Sequence, residues 1–257
     1  MTAFLDAEAL ALAVGGGLWR HLDVVPTTGS TNADLARAAA EGAPPGRVLA
    51  TGDQRAGRGR LARRWEAPPD TSIACSVLVA PRRPVSEWGW LPLLVGTAVT
   101  DGVRAATGLD ARLKWPNDVL LGGRKLCGIL CESVGGADGP RAVLGFGINV
   151  DLREDQVPVP TATSTRLAGS DVGATPILAA VLRSLETWFT AWDDGGDVAE
   201  DYRRRCDTIG REVVVHLGSG DVAGVATGVD AGGGLVVLTA TGERTFVAGD
   251  VEHVRPA

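Results

Sequence analysis

Between two β-type runs, Arg47 to Thr51 and Ser72 to Val79, lie thirteen residues from Asp53 to Trp65 that read DQRAGRGRLARRW. Five arginines (Arg55, Arg58, Arg60, Arg63 and Arg64) fall within ten positions, two of them interleaved with Gly57 and Gly59. Glycine lets a backbone take positive φ and approach a ligand closely, while arginine offers a planar fork of donors that fits phosphate or carboxylate oxygens in pairs. Tied to a strand at each end, the run is rigidly mounted and reads as an anion-binding loop. Taken alone, an Arg/Gly run is more often a solvated basic turn, so its company along the chain has to decide.

That basic run is local. The 257 residues are 45% hydrophobic and 22% charged with a net charge of −6, enough apolar content for one large domain and a small one. The acidic balance argues against general nucleic-acid binding, which needs a broad basic footprint. No apolar run approaches the ~20 residues of a membrane span, and the opening MTAFLDAEAL lacks the charged and apolar regions of a leader; the expectation is a soluble, cytoplasmic protein. Cys75, Cys127, Cys131 and Cys206 form no C-x-x-C pair. Cys127 and Cys131 on one strand would stand about 13 Å apart, beyond disulfide or shared-metal reach, so reduced buried thiols are expected. His21, His216 and His253 are scattered, and neither a zinc site nor a catalytic triad is expected.

In chain order, Asp6 to Val14 reads as a short helix stopped by Gly15–Gly17 and His21 to Val25 as a strand. Ser30-Thr31-Asn32 stands directly before the helical run Ala33 to Ala40; all three are good N-caps, and their alternative use is hydrogen bonding to a neutral polar ligand. Trp90 to Ala106 has the spacing of a long core helix. Trp115-Pro116-Asn117-Asp118 breaks a strand with a turn, and Gly122-Gly123 makes a hairpin. The strand from Lys125 to Glu132 then puts Lys125, Cys127, Ile129 and Cys131 on one face by parity and Gly128 on the other, where backbone can be approached. Lys125 belongs at a solvent edge unless it points into a cleft. Arg141 to Val150 is a strand interrupted by Gly145 and Gly147, and the Pro-rich Asp151 to Ser164 reads as a mobile lid. Thr175 to Trp192 and Val198 to Cys206 are helical. From Arg211 to Arg255, short alternating runs (Val213 to Val215, Val222 to Thr227, Leu235 to Thr239, Arg244 to Val247) between Gly- and Asp-rich turns read as a small β-barrel.

Together these pieces resemble the biotin protein ligases. The motifs that carry the likeness are Ser30-Thr31-Asn32; Gln54 with Gly57-Arg58-Gly59-Arg60 and Trp65; Lys114 to Asp118; Arg124-Lys125-Leu126 with Gly128-Ile129-Leu130; and Gly147-Ile148-Asn149. Each is weak alone, but the ordered set over residues 20–150 is specific. The resemblance implies an α+β fold: a mixed β-sheet with helices packed on one side, as in class II aminoacyl-tRNA synthetases, plus a C-terminal SH3-like β-barrel. Residues 1–208 would be the catalytic domain and 209–257 the barrel. One departure is plain: where the family's run commonly continues x-G-R-x-W, this chain has Ala62 in place of the glycine, a residue that tolerates positive φ poorly.

The resemblance also implies the reaction. ATP would activate biotin as biotinyl-5′-AMP, and a lysine of a biotin carboxyl carrier protein domain would accept the acyl group. Lys125, Arg58 and Asp118 become the catalytic candidates. Ser30, Thr31, Asn32, Gln54, Gly57, Arg58, Gly59, Arg60, Lys125 and Gly128 are candidates for biotin, and Arg58, Arg60, Arg63, Trp65, Asn117, Lys125 and Asn149 for ATP or the adenylate. Mg²⁺ would be held mainly by phosphates, with no protein-only metal site. A ligand-dependent homodimer is compatible with this reading. Too few residues precede the motifs for a DNA-binding repressor domain. The alternatives are a lipoate ligase-type acyltransferase, which would need a long apolar acyl pocket, and an RNA-binding module, which the acidic balance and the lack of interleaved Phe or Tyr disfavour.

Overall fold

The computed structural model describes residues 3–136, 138–218 and 220–254. Strands β1 (His21–Val24) and β2 (Arg47–Thr51) precede the basic loop, within which β3 (Gly57–Arg58) and β4 (Arg64–Trp65) pair with each other. Then come β5 (Ser72–Val79), β6 (Ala111–Lys114), β7 (Asp118–Leu121), β8 (Arg124–Gly136) and β9 (Gly139–Asn149). Seven of these form one mixed sheet in the order β1-β2-β5-β9-β8-β7-β6. β1 and β2 run parallel; the other neighbours are antiparallel. The helices are α1 (Ala7–Val14), α2 (Thr31–Ala40), α3 (Leu91–Thr107), α4 (Ala174–Asp193) and α5 (Ala199–Arg205). Asp6 caps α1 by accepting from Ala9 N–H, and Ser30 caps α2 by accepting from Ala33 N–H.

Alternation along the central strands gives the two faces of the sheet different work, because successive side chains point to opposite sides. Ala142, Leu144, Phe146 and Ile148 of β9, with Ile73, Cys75 and Val77 of β5, bury against α1, α3 and α4. The intervening residues face the other way. There α2 covers Leu78 and Val143 with Leu35 and Ala39, and beyond it β9 presents Gly145 and Gly147. The helices thus concentrate on one side as expected, and the single helix α2 leaves the rest of the opposite face open.

Strand β8 corrects the parity expected from the sequence. Val119 of β7 pairs with Cys127 but Leu120 pairs with Lys125, so Leu126 is an extra residue in a β-bulge. Leu126 and Cys127 are both fully buried. The inserted residue reverses the alternation upstream of it, which brings Lys125 to the same side as Gly128: a Cβ on Gly128 would stand 3.4 Å from Lys125 Cε.

The C-terminal strands β10 (Glu212–Leu217), β11 (Gly220–Val229), β12 (Leu235–Thr239), β13 (Gly242–Phe246) and β14 (Asp250–His253) form an antiparallel sheet in the order β13-β12-β11-β10-β14. Its inward residues, among them Val213, Val215, Leu235, Val237 and Val251, join the same buried cluster as the large sheet's helix side. Two tryptophans fasten the units together: Trp90 Nε1 donates to Ala231 O (2.8 Å) and Trp115 Nε1 to Gly233 O (3.1 Å). Among the described residues, no helix is long and apolar enough to cross a membrane.

The main helix pair depends on one small residue. A Cβ on Gly102 of α3 would lie 2.6 Å from both Cα and N of Val181 on α4. Gly102→Ala is expected to separate the helices and lower unfolding free energy by about 1–3 kcal/mol, read as a lower urea midpoint at nearly constant slope.

Candidate active site

The open face of the large sheet forms the floor of a cavity of about 330 Å³. Its floor is bare backbone at Gly128 and Gly147, and the indole of Trp65 lies against both. A Cβ would come within 2.5 Å of that ring from Gly147 and 2.9 Å from Gly128. Gly145 does the same for Asn32, whose Oδ1 would stand 1.9 Å from an added Cβ. Glycines in β8 and β9 therefore let side chains from α2 and the basic loop settle directly onto the sheet.

One wall is polar. Thr31 N–H donates to Gln54 Oε1 (2.9 Å), and the Thr31 hydroxyl lies 2.7 Å from Ser76 Oγ. Ser76 donates to Asn32 Oδ1 (2.6 Å), and Asn32 Nδ2 donates to Glu132 (2.7 Å) and to Leu130 O (3.0 Å). Ser30 of the trio caps the helix as expected, while Thr31 and Asn32 build a hydrogen-bonded wall from protein groups. Ser76 sits at its centre, fully buried. Sequence reasoning missed it, although it is the hydroxyl that alternation places on the open face of an otherwise apolar strand.

The other side is cationic, with Arg58, Arg60, Arg63, Arg64, Lys114 and Lys125 in the lining, and four of these are held by groups from elsewhere in the chain. Lys125 Nζ is 2.6 Å from Asp118 Oδ1, and Arg58 donates to Glu132 at 2.9 Å. Arg63 pairs with Asp250, and Arg60 spans from Asn117 Oδ1 to Gly249 O, 3.3 Å to each. Burial lowers the Arg60 pKa, opposed by nearby Asp250 and Asp118. Glu132 and Asp250 were not anticipated. Asp250 belongs to β14, a strand too short and polar to show alternation, and with Val251 it brings the small sheet into the cavity lining.

Most of the expected site residues meet here. Ser30, Thr31, Asn32, Gln54, Arg58, Gly59, Arg60, Arg63, Trp65, Asn117, Asp118, Lys125 and Gly128 all line the one cavity, so Arg58 and Lys125 share a single space. Two others do not line it. Gly57 lines an adjoining groove, and its missing side chain admits Trp65 O and Gln54, 2.3 and 2.6 Å from a would-be Cβ. Asn149 is buried, accepting from Ser72 (2.9 Å) and donating to Thr163 O (2.9 Å). These bonds tie strand ends together and leave one amide N–H without a protein partner among the described residues.

The Asp151 to Ser164 stretch also differs from expectation. Lys125 N–H donates to Thr161 O (2.6 Å) and Thr163 N–H to Lys125 O (2.9 Å), and Ala162, Thr163 and Ser164 are buried. The end of the segment is a bridge that holds the backbone of Lys125 rather than a free lid. All four cysteines are unpaired thiols, and burial pushes Cys75 and Cys127 far above the ordinary thiol range.

A polar pocket floored by sheet backbone and ringed by cations from separate strands suits a ligand that carries a carboxylate or phosphate, as in ligases that activate a carboxylate with a nucleotide. The comparisons agree. The profile of the Biotin/lipoate A/B protein ligase family matches residues 24–149, and that of the biotin protein ligase C terminal domain matches residues 208–254. The biotin--[acetyl-CoA-carboxylase] ligase of Mycobacterium tuberculosis is 43% identical over 98% of this chain and 96% of its own length. The bifunctional ligase/repressor BirA of Bacillus subtilis is 30% identical over 90% of this chain and 72% of its own. Among solved structures, the biotin protein ligase from Aquifex aeolicus in complex with biotin and ATP superposes with a TM-score of 0.78 at 27% identity, covering 92% of this chain and all of that one. The chain belongs to the biotin protein ligase family.

The basic loop carries a backbone cost at the family's glycine position. Leu61 and Ala62 both have positive φ, 55° and 59°, a conformation that costs an L-residue roughly 1–2 kcal/mol. Because glycine also gives up more freedom on folding, Ala62→Gly is expected to raise unfolding free energy by a net of about 0.5–1 kcal/mol; a thermal melt of the two proteins checks it.

Proposed function

We infer that the chain is an ATP-dependent ligase that activates biotin as biotinyl-5′-AMP and transfers the biotinyl group to a lysine of the biotin carboxyl carrier domain of an acetyl-CoA carboxylase. The observation that carries this reading is that Arg58, Arg60 and Lys125 share one cavity with the Thr31–Gln54–Asn32 wall. A carboxylate is a poor acyl donor. In the first step a biotin carboxylate oxygen bonds to the α-phosphorus of ATP while the bond to the pyrophosphate oxygen breaks. In the second, the acceptor amine attacks the acyl carbon, AMP leaves and the amine loses a proton. Both steps gather negative charge in one place, where preorganised cationic donors are the largest source of rate.

The roles follow from placement. The wall of Ser30, Thr31, Asn32 and Gln54 offers a polar surface for a ureido ring, with backbone at Gly59 and Gly128 beside it; a linear acyl chain would call for an apolar lining instead. Lys125 and Arg58 exchange their carboxylate partners for substrate oxygens. Arg60, Arg63 and Asn117 serve the nucleotide, and Trp65, laid on the Gly128 and Gly147 floor, offers its indole to the ligand. Asp118 orients the incoming amine. Among the described residues no three His, Cys, Asp or Glu are grouped to hold a metal; a Mg²⁺ carried on ATP phosphates needs only one or two carboxylates, which Asp118 fits, and it would neutralise phosphate charge. Residues 1–208 then form the catalytic unit and 209–257 a smaller unit that closes one side of it. A mass increase of one biotinyl group on an apo-carrier domain, in the presence of ATP and biotin, tests the whole reading; transfer of lipoate instead would replace it.

Two substitutions separate the roles. Lys125→Ala should abolish biotin-dependent ATP–pyrophosphate exchange while leaving the melting curve nearly unchanged; near-normal exchange would remove Lys125 from the chemistry. Arg58→Ala should weaken biotin binding and release biotinyl-5′-AMP into solution, measured by chromatography of the filtrate, and an intermediate retained as in the parent protein would rule that role out.

A further inference from the structure

The cavity has two banks that belong to different units. On one side is the Trp115–Asp118 turn between β6 and β7, carrying Asn117 and Asp118. On the other is the start of β14, with Gly249 and Asp250. Arg60 reaches across from Asn117 Oδ1 to Gly249 O, 3.3 Å each way, so the spacing of the banks sets where that guanidinium stands.

Behind the cavity the same two elements are joined a second time. Trp115 N–H, just before a proline with no N–H of its own, donates to Thr208 Oγ1 at 3.0 Å, and Thr208 Oγ1 lies 3.0 Å from His253 Nε2 on β14. Thr208 is fully buried, so its single hydroxyl proton needs an acceptor, and among the described residues none other than His253 Nε2 lies within hydrogen-bonding reach. That fixes the direction of the chain: Trp115 N–H to Thr208, Thr208 O–H to His253. The imidazole must then be neutral with its proton on Nδ1. Burial, with Lys114 and Arg211 nearby and only partly offset by Asp207, holds its pKa down to about 4. The segment leading to Thr208 is itself laid along β6, with Cys206 bridged to Leu113 and Asp207 N–H donating to Leu113 O at 2.8 Å.

We propose that Thr208 and His253 are positioning residues for the nucleotide half of the site, a pin between the Trp115 turn and β14 that sets the width Arg60 spans. Neither touches the cavity, and both act through Trp115 and β14. The polar wall that faces biotin hangs on α2, β5 and β8 and meets the turn through β8, where Asn117 Nδ2 donates to Ile129 O and Ile129 N–H to Asn117 O, 3.0 Å each; Arg60 spans the two banks directly, so the effect falls more on the nucleotide than on biotin. The inference rests on the ligase reading.

The test is biotin-dependent ATP–pyrophosphate exchange with the KM of each substrate taken separately, on Thr208→Val and Thr208→Ser in the full chain. Valine leaves both the Trp115 N–H and His253 Nε2 without a partner and lets the turn and β14 shift apart; the expected result is a KM for ATP raised about tenfold through the misplaced Arg60, with the KM for biotin raised less, while serine restores the parent value. In ¹⁵N NMR the His253 ring should show the Nδ1–H tautomer in the parent protein and lose that preference in Thr208→Val. If Thr208→Val does not fold, His253→Gln, whose amide oxygen accepts the same hydroxyl, and His253→Leu, which cannot, carry the contrast. An unchanged KM for ATP, or both KM values rising by the same factor, overturns the proposal. A parent protein that exchanges no pyrophosphate overturns the ligase reading instead, and leaves the tautomer measurement to judge the pin.

Discussion

Six cationic side chains line one cavity and repel one another, and the rest of the site is arranged to hold them there. Between unit charges about 4 Å apart the repulsion is roughly 4 kcal/mol at the screening typical of a protein surface. Asp118, Glu132 and Asp250 stand against Lys125, Arg58 and Arg63, while Arg60 is met by a side-chain amide and a main-chain carbonyl. The partners come from β7, β8 and β14, so the charge pattern also ties distant strands to the basic loop. A substrate carboxylate or phosphate entering this cavity exchanges one anion for another and need not assemble the cations first, which is what preorganisation means energetically.

Bringing those groups onto a flat sheet surface requires the surface to give way. Period-two alternation makes β9 apolar toward the helices and glycine toward the cavity, so a single strand both fills the core and clears the floor. The bulge at Leu126 completes the arrangement. Without the extra residue, Lys125 would share the buried side with Cys127 and Ile129, and an ammonium there would pay the full penalty of desolvation. The bulge lets an apolar strand end in a cavity-facing lysine, and the Thr161–Thr163 bridge keeps that end from fraying.

Much of this was legible in the chain. Arg47–Thr51 and Ser72–Val79 appear at the expected limits because short, mainly apolar runs rich in strand-forming residues between turn residues specify strands, and Gly122-Gly123 is the expected hairpin with both residues at positive φ. The convergence of Arg58 and Lys125 was legible only through the ordered motifs. What escaped depends on contacts between residues far apart in sequence. The bulge is a mismatch between β7 and β8; Ser76 and Glu132 acquire meaning once Asn32 lies between them; the bonds of Asn149 to Ser72 and Thr163 join residues that the sequence does not pair. The Pro-rich stretch read as mobile on composition, yet composition carries no information about backbone groups paired with a neighbouring strand.

The small sheet illustrates the same limit at larger scale. Alternation announced most of its strands, but nothing in DVEH marks β14 as a cavity wall. Its position there follows from burial. The inward valines of β10 and β12 share a continuous core with α3 and the large sheet, and Trp90 and Trp115 each place an indole N–H on a carbonyl of the Ala231–Gly233 turn. A Cβ on Gly89 would meet Gly232 O at 2.2 Å, so the two backbones touch where the units join. An appendage linked by a flexible tether would add an ordering cost each time the cavity closed on its substrates; one joined through a common core has met that cost in folding. The continuity of the core therefore also fixes the cavity, because Arg60 and Arg63 take their bearings from both sides of the seam.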